Sequence, residues 1–310
     1  MPPLPPPANP TIDAIYQWHE SRQSSGGRGH LGASQIGAPC ERALWYQFRW
    51  ALKVRHAGRL LRLFETGNLA EPRFVAELRA VGVEVHEINP DTGAQFSVSA
   101  VRGHFGGSMD GVALGILEAP KTWHVLEFKT HGSKSFAELK AKGVEKAKPE
   151  HAAQMQVYMH LAGLERAFYL AVDKNTDELY SERLNHDEAA ALRLLAKASR
   201  IIDAAEPPGR ISEDPSFYLC RWCSFSPICH GDAWAERTCR SCLHSTPVDQ
   251  GQWDCNRWGK VLSDAEQRDG CGAHKLIPAL VPGEQVDVRD DAVIYRMPDG
   301  SEWSDSECPF

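Results

Sequence analysis

The sequence lacks any apolar run that approaches the roughly 20 residues of a transmembrane helix. It also lacks the apolar segment of a secretory signal, because residues 1–10 are rich in proline, and we read them as a disordered leader. These absences exclude a membrane partner and a secreted class, and they predict a cytoplasmic protein. In a reducing cytoplasm, the nine cysteines favour metal ligation over disulfides.

An excess of basic residues is also missing, since the formal net charge is −7. Residues 284–310 hold eight acidic side chains against two arginines, so the rest of the chain is nearly neutral. Two stretches are locally basic, and the first has Trp45, Tyr46, Phe48 and Trp50 interleaved. They comprise Arg42, Arg49, Lys53, Arg55, Arg59 and Arg62, and Lys129, Lys134, Lys140, Lys142, Lys146 and Lys148. Such stretches suit phosphate backbones, although a charge run alone is usually a solvated helix face.

The hydrophobic pattern predicts helices and strands in alternating blocks. Helices are expected at 11–23 with Thr11 as N-cap, around Cys40 and Trp45, at 60–81 with a kink or fresh first turn at Pro72, at 149–163, and from Asn185 or Asp187 to about residue 205. Strands are expected at 83–88, 96–99, 107–114, 123–130, 167–173 and 178–184. This order predicts a mixed α/β core, with a mixed central sheet flanked by helices.

A line of polar residues follows the predicted strands. Asp110 ends the run Gly106-Gly107-Ser108-Met109-Asp110, and Glu127 and Lys129 share one face of the next strand because side chains alternate with period two. The Phe128 carbonyl lies between them. Phosphodiester hydrolysis needs a nucleophilic water and stabilisation of phosphorane charge, which Mg²⁺ on two or three carboxylates supplies. Taken singly, each feature is as well explained by an exposed strand, a turn or packing.

Together these residues resemble the PD-(D/E)XK nuclease superfamily, and its RecB-like branch in particular. The matching motifs lie within residues 34–230 and are Gly67-x3-Glu71, Gly107-x2-Asp110, Glu127-x-Lys129 and Gln154-x3-Tyr158. The resemblance implies a restriction-endonuclease-like α-β-β-β-α-β core and Mg²⁺- or Mn²⁺-dependent DNA cleavage by Asp110, Glu127, Lys129 and Glu71. It also implies DNA contact by Gln154 and Tyr158. Many RecB-like members have histidine where this chain has Glu71.

Four cysteines form a split pattern around these motifs. Cys40 precedes them, and Cys220-x2-Cys223-x5-Cys229 follows them. Number and spacing alone suit an iron–sulfur cluster, zinc or free buried thiols. The arrangement resembles the iron–sulfur nucleases of the RecB-like branch, namely the AddB nuclease domain and the CRISPR-adaptation exonuclease group, which implies a [4Fe–4S] cluster with a structural role. A phage or prophage type is expected.

The end of the chain carries a second cysteine set. Zinc is expected on Cys239, Cys242, Cys255 and Cys271, with His274 as substitute ligand and reduced thiols as the alternative. Cys308 is left unpaired, and residues 291–305 predict a β-hairpin. The expected domains are therefore a nuclease domain at 11–232, a cysteine-rich module at 233–283 and an acidic hairpin tail at 284–310.

The function predicted from these features is DNA hydrolysis by an exonuclease that acts at DNA ends or single strands. A structure-specific endonuclease is the alternative within enzymes. A non-catalytic DNA-binding or assembly subunit that keeps the fold is the alternative outside them. DNA is the expected partner, and a recombination or repair protein as a second partner is left open.

Overall fold

The computed structural model describes residues 9–23, 27–290 and 292–306, so most of the predicted leader and Cys308 lie outside the described residues. The helices are α1 Pro10–Ser21, α2 Glu41–Phe48, α3 Gly58–Ala80, α4 Ser133–Lys142, α5 Val144–Ala147, α6 Pro149–Ala162, α7 Glu188–Asp203, α8 Ser226–Cys229 and α9 Asp264–Asp269. The strands are β1 Leu31–Gly32, β2 Glu84–His86, β3 Ser97–Ala100, β4 Phe105–Ser108, β5 Gly111–Leu114, β6 His124–His131, β7 Arg166–Asp173, β8 Leu179–Asn185, β9 Ser245–Pro247, β10 Trp253–Cys255, β11 Lys260–Leu262, β12 Glu284–Arg289, β13 Ala292–Arg296 and β14 Glu302–Ser304.

A five-stranded mixed sheet in the order β2-β5-β6-β7-β8 forms the centre. Only β6 and β7 pair in parallel, and the other neighbours are antiparallel. Strand β6 alternates as its sequence predicts. Leu126 and Phe128 face α3, where Phe128 stacks on Phe74, while Val125 joins the core on the opposite face. The predicted fold class, a mixed α/β core with helices on its faces, is confirmed.

Two helices follow their predicted signals closely. Helix α6 begins at Pro149 and ends before Gly163, which is left-handed with φ 67°. Helix α7 is capped by Asp187, whose Oδ1 accepts the Ala190 N–H at 2.9 Å. Helix α6 lies on the β6 face that carries Val125 and therefore on the face that carries Glu127 and Lys129.

Three local predictions need correction. The N-cap of α1 is Asn9, not Thr11. Helix α3 runs through Pro72 as one element, so the predicted fresh first turn is not formed there. Pro72 lies on the exposed side of the helix, where water can satisfy the carbonyl that loses its N–H partner. The strand predicted at 107–114 is two strands, β4 and β5, in different sheets. The chain turns between them at Gly111, whose φ of 154° favours glycine.

The C-terminal region contains two small sheets, β11-β10-β9 and β12-β13-β14. The predicted hairpin is thus part of a three-stranded sheet, and its Trp303 packs edge-on against Trp234 with ring centroids 4.9 Å apart. Trp253 of β10 is fully buried in the same core cluster as Phe48 of α2. The domain boundary at residue 232 stays a prediction, and the hydrophobic core runs across it. Within the described residues, no helix combines the length and apolar content that a membrane crossing needs.

Candidate active site

Asp110 sits at the junction between β4 and β5, beside the middle of β6. Its Oδ2 accepts the Phe128 N–H at 2.7 Å, so the carboxylate is fixed to the strand that carries Glu127 and Lys129. The sharp turn into Gly111 positions this side chain, because β5 pairs with β6 directly after it.

Glu127 and Lys129 lie side by side on one face of β6, as the period-two pattern predicts. The Lys129 ammonium donates to Glu127 Oε1 and, at 3.1 Å, to the Phe128 carbonyl. Glu127 is fully buried, and its Oε2 is a buried oxygen without a hydrogen-bond partner. A buried carboxylate oxygen without a donor is costly, and a cation would satisfy it.

Glu71 reaches the same place from α3. Burial raises its pKa, the negative charge of Asp110 raises it further, and Lys129 lowers it. These mutual charge effects place Glu71 near both residues. The predicted set of Asp110, Glu127, Lys129 and Glu71 is therefore brought together at one site, although their catalytic roles stay predictions.

Burial raises the pKa of all three carboxyls, and neighbouring carboxyl charge adds to the shift at Glu71 and Glu127. Burial raises the pKa of Glu127 to about 7, and the charges of Asp110 and Glu71 add to the shift while Lys129 opposes it. Burial also raises the pKa of Asp110. Burial would lower the pKa of Lys129, but the charges of Glu127 and Asp110 outweigh it, so this pKa is raised. The site thus gathers three carboxyl groups around the Lys129 ammonium.

Gln154 and Tyr158 lie beside this site on α6, but they are buried. Tyr158 is 2% exposed, donates to the Ser108 carbonyl at 2.8 Å, and lies 3.3 Å from Gln154 Nε2. The buried ring offers no face to a base, so the predicted DNA contact by Tyr158 is corrected to support of the strand before Asp110. Gly107 is required here, since a Cβ there would lie 2.6 Å from the Tyr158 hydroxyl.

The sequence prediction missed a second layer of the site. Tyr169 of β7 is directly opposite Glu127 in the parallel register, and its hydroxyl lies 2.8 Å from His131 Nε2 and 3.0 Å from His151 Nδ1. Burial lowers the pKa of His131 to about 4 and that of His151 to about 3, with nearby lysines adding to both shifts. Two signals could have found this cluster: His131 continues the Glu127–Lys129 face, and His151 precedes Gln154 by one helical turn.

The first part of the first predicted basic stretch, Arg42 to Trp50, is internal. Arg42 donates to Tyr46 and to the Pro208 carbonyl, and Arg49 is buried. The interleaved aromatics Trp45, Tyr46, Phe48 and Trp50 are buried as well. The prediction of a DNA-contacting surface is wrong for these residues, because their side chains fill the core between α2 and the C-terminal region.

Exposed positive charge remains in both stretches. The outward-facing members of the first are Lys53, Arg55, Arg59 and Arg62. In the second, Lys140 and Lys142 are paired with Glu178 and Glu138. The positive charge of Lys148 lowers the pKa of His131 and His151, which places this lysine beside the site.

The first cysteine set is assembled around one cavity. Cys40 is the N-cap residue of α2, and the late triplet comes from the segment after α7. The four thiols line a cavity of about 380 Å³ together with Arg42, Tyr46 and Arg210. Burial raises the pKa of Cys220, and negative charge on the other three thiols raises it further. Distant parts of the chain thus meet at these cysteines.

The second set forms a smaller group. Cys239, Cys242, Cys255 and Cys271 line a cavity of about 10 Å³, roughly the room of one water-sized sphere. His274 lines it too, but its Nε2 lies 3.0 Å from the Thr238 carbonyl and is engaged there. His244, which the sequence prediction missed, is the other histidine on this wall.

Across residues 9–23, 27–290 and 292–306, no three His, Cys, Asp or Glu side chains converge tightly enough to count as a formed metal centre. The donor types nevertheless fit: hard carboxylate oxygens suit Mg²⁺ or Mn²⁺, which keep several waters, and thiolates suit zinc or iron–sulfur clusters.

Comparison with known proteins gives weak structural likenesses. The chain is similar to the alkaline exonuclease LHK-Exo from Laribacter hongkongensis, with 18% identity, a TM-score of 0.41, and coverage of 61% of this chain and 90% of that one. The crystal structure of SSO0001 is 16% identical, with a TM-score of 0.41 and coverage of 71% of this chain and 96% of that one. A phage related exonuclease from Haemophilus somnus 129PT is 14% identical, with a TM-score of 0.33 and coverage of 44% of this chain and 69% of that one. None of the curated protein sequences is significantly similar to the chain.

A family match carries more weight than these structures, whose TM-scores are too low to establish a relationship. The sequence profile of the PD-(D/E)XK nuclease superfamily matches residues 28–230, about two thirds of the chain. The matched range begins before α2, contains Glu71, Asp110, Glu127 and Lys129, and ends just after Cys229. This chain belongs to the PD-(D/E)XK nuclease superfamily.

Proposed function

We propose that the chain is a metal-dependent deoxyribonuclease, and specifically an exonuclease that acts at DNA ends or on single strands. The observation that carries this proposal is the convergence of Asp110, Glu127 and Lys129 around Phe128, with Glu127 Oε2 buried and without a donor. A fold that keeps an unsatisfied buried carboxylate beside two further carboxyls is arranged for a cation.

Asp110 and Glu127 would hold Mg²⁺ or Mn²⁺, with Glu71 bound directly or through water. When bound, the ion supplies charge stabilisation to the phosphate and lowers the pKa of a water. The raised pKa of Glu127 shows that this carboxylate is unfavourable in the metal-free site, so a cation and the negative carboxylate stabilise each other.

Lys129 would orient the nucleophilic water. Its ammonium is fixed by the Phe128 carbonyl and Glu127, which leaves a further N–H for a water beside the scissile phosphate. Tyr158 holds the Ser108 carbonyl and Tyr169 borders Glu127, so both residues would keep the carboxylates in place without touching DNA.

The two cysteine sets would stabilise the fold. We assign a [4Fe–4S] cluster to Cys40, Cys220, Cys223 and Cys229, supported by four thiols that line one cavity of about 380 Å³. We assign zinc to Cys239, Cys242, Cys255 and Cys271, supported by a cavity with room for one ion. A cytoplasmic location and a phage or prophage origin belong to the same proposal.

The test is digestion of end-labelled linear and circular DNA, single- and double-stranded, with Mg²⁺ or Mn²⁺ and with chelator. Linear DNA should be degraded from its ends, and Asp110→Asn or Glu127→Gln should lose at least 100-fold in rate, since each removes a carboxylate from the cation site. Glu118→Gln, an exposed carboxyl in the loop before β6, is the matched control and should retain wild-type activity.

The same digest separates the alternatives. If circular DNA is cleaved at branched or looped sites, the protein is a structure-specific endonuclease and the exonuclease proposal fails. DNA binding without cleavage under any metal condition would instead establish a non-catalytic subunit. Full activity of the Asp110→Asn protein would refute the site.

A further inference from the structure

Along one face of α3, the residues change from buried against the sheet, to adjacent to the candidate site, to exposed to solvent. Val75 and Leu78 lie on this face and are buried against the sheet, and Glu71 follows one turn earlier. Gly67 and Phe64 continue the same face at helical spacing. A Cβ on Gly67 would lie 3.8 Å from Thr130 Oγ1, so the helix still borders β6 there. Phe64 comes next, and the residue is 49% exposed.

The position of Phe64 relative to the site follows from helix geometry. Phe64 precedes Glu71 by seven residues, which places it about 10 Å along the helix axis on nearly the same face. The ring is therefore within reach of a strand whose phosphate lies at the carboxylates.

The surroundings of Phe64 are basic and lie next to a large cavity. His56 packs edge-on against Phe64, with ring centroids 5.4 Å apart. His56 also lines a cavity of about 600 Å³ with Lys53, Arg55 and Arg268. Glu236 and Asp269 line it too, so the balance is positive. Among the described residues, Lys53 and Arg55 form no ion pair and remain available for phosphates.

We propose that Phe64 is a stacking platform for an unpaired DNA base, on a strand that runs from the carboxylate site toward Lys53 and Arg55. This inference rests on the proposed nuclease function and specifies its substrate as a single-stranded end. An exposed aromatic ring binds a base through its face, which a base inside a duplex does not offer because its neighbours cover it. The apolar face of α3 thus changes its role along the helix, from core packing at Val75 to base contact at Phe64.

The first experiment compares Phe64→Ala, Phe64→Trp and Leu69→Ala. Leu69 is the matched control, since it is 73% exposed on the same helix but lies about 140° around the axis from Phe64. Phe64→Ala should weaken binding of a labelled single strand roughly 5- to 140-fold, the range expected for loss of one base–aromatic stack. Phe64→Trp should retain binding, Leu69→Ala should match wild type, and affinity for the blunt duplex should change little in all three.

The second experiment removes the base instead of the ring. Single strands that each carry one abasic position are titrated with the protein in the absence of added divalent cation. An abasic position at one place near the bound end should weaken binding by the wild-type protein. The Phe64→Ala protein should be insensitive to that position, because the two losses remove the same contact and do not add.

These outcomes separate the inference from the proposed function. If wild type cleaves DNA and Phe64→Ala binds single strands normally, the stacking platform is refuted and the nuclease stands. If Phe64→Ala weakens the duplex as much as the single strand, the unpaired base is refuted. A third outcome is that no DNA is cleaved, while one abasic position weakens binding by the wild-type protein and not by Phe64→Ala. The stacking platform then stands and the nuclease proposal fails.

Discussion

At the scale of single residues, Phe128 shows how a β-strand serves two purposes. Its ring stacks on Phe74 in the core beneath α3, its N–H binds Asp110, and its carbonyl accepts from Lys129. The neighbours Glu127 and Lys129 face the other way because side chains alternate along a strand. The candidate site residues therefore stand on a strand whose other face is packed in the core.

Gly107 offers a residue-scale test of how α6 supports the site. Gly107→Ala should lower the free energy of unfolding by about 1–3 kcal/mol, because the new Cβ would lie 2.6 Å from the Tyr158 hydroxyl. Tyr158→Phe removes that hydroxyl and its bond to Ser108, at a cost of about 1 kcal/mol. Denaturant unfolding of the double variant should show a combined loss clearly smaller than the two single losses together.

The control for this comparison of the single and double variants is Gly209→Ala, since a Cβ at Gly209 meets no atom within 4 Å. Gly209→Ala should leave the free energy of unfolding nearly unchanged. Strictly additive losses at Gly107 and Tyr158 would show that the two groups do not touch.

At the scale of secondary-structure elements, β6, β7 and α6 form a unit around Tyr169. His131 comes from the end of β6, Tyr169 from the middle of β7, and His151 from the first turn of α6. Their hydrogen bonds join the strand that carries Glu127 to the helix that carries Tyr158. Both histidines are held neutral by burial and by nearby lysines.

This unit predicts a pH dependence of stability. The folded pKa values of about 4 for His131 and about 3 for His151 lie below the unfolded value of about 6.5. Between about pH 6.5 and pH 4 the unfolded chain binds more protons than the folded one, so stability falls as the pH falls through this window. Between pH 7 and pH 5 each histidine should contribute a loss of about 2 kcal/mol.

The measurement compares urea unfolding of wild type and His151→Gln from pH 5 to pH 8. The raised pKa of Glu127 acts in the opposite direction in both proteins, so the difference between their curves isolates His151. The difference should shrink toward pH 5, where wild type has lost the stability that neutral His151 contributes. His86→Gln on edge strand β2 serves as control, and parallel curves for His151→Gln and wild type would contradict the prediction.

At the scale of the whole molecule, the C-terminal region is docked by buried arginines between aromatic rings. Arg240 lies 3.8 Å over the Trp50 ring and 4.7 Å over Trp253, and Arg49 lies 5.0 Å over Trp253. Arg49 also donates to the Ala204 and Ser245 carbonyls, on either side of residue 232. The regions that carry the two cysteine sets therefore share one core.

The metal content of the whole protein gives the corresponding prediction. Protein purified without oxygen should be brown, with iron and sulfide near four per chain and zinc near one. Cys220→Ala should lose iron and keep zinc, and Cys239→Ala should do the reverse, because each set lines its own cavity. Both variants should unfold at lower denaturant concentration, since metal binding contributes folding free energy.

Cys308→Ala is the control that should keep both metals. Metal analysis of all three variants, with absorption spectra, measures the result. A colourless wild type with two zinc ions per chain would overturn the iron–sulfur assignment.

The sequence by itself determined the features that depend on local spacing. Period two placed Glu127 and Lys129 on one face of β6, Pro149 and Gly163 bounded α6, and Asp187 capped α7. The order of the motifs around Asp110 indicates the superfamily without any tertiary contact. Each of these depends on residues close in the chain, where geometry follows directly from the backbone repeat.

Only the tertiary structure decided what lies in the interior. The aromatics around Arg42 and Arg49 have the composition of a DNA-binding surface, yet they are buried because Trp253 and Arg240, some 200 residues later, pack against them. Tyr158 has the right spacing for substrate contact, but Ser108 and Gly107 enclose it. Tyr169 and His151 join the site through sheet register and helix packing. Exposure depends on contacts between distant segments, and no local pattern encodes it.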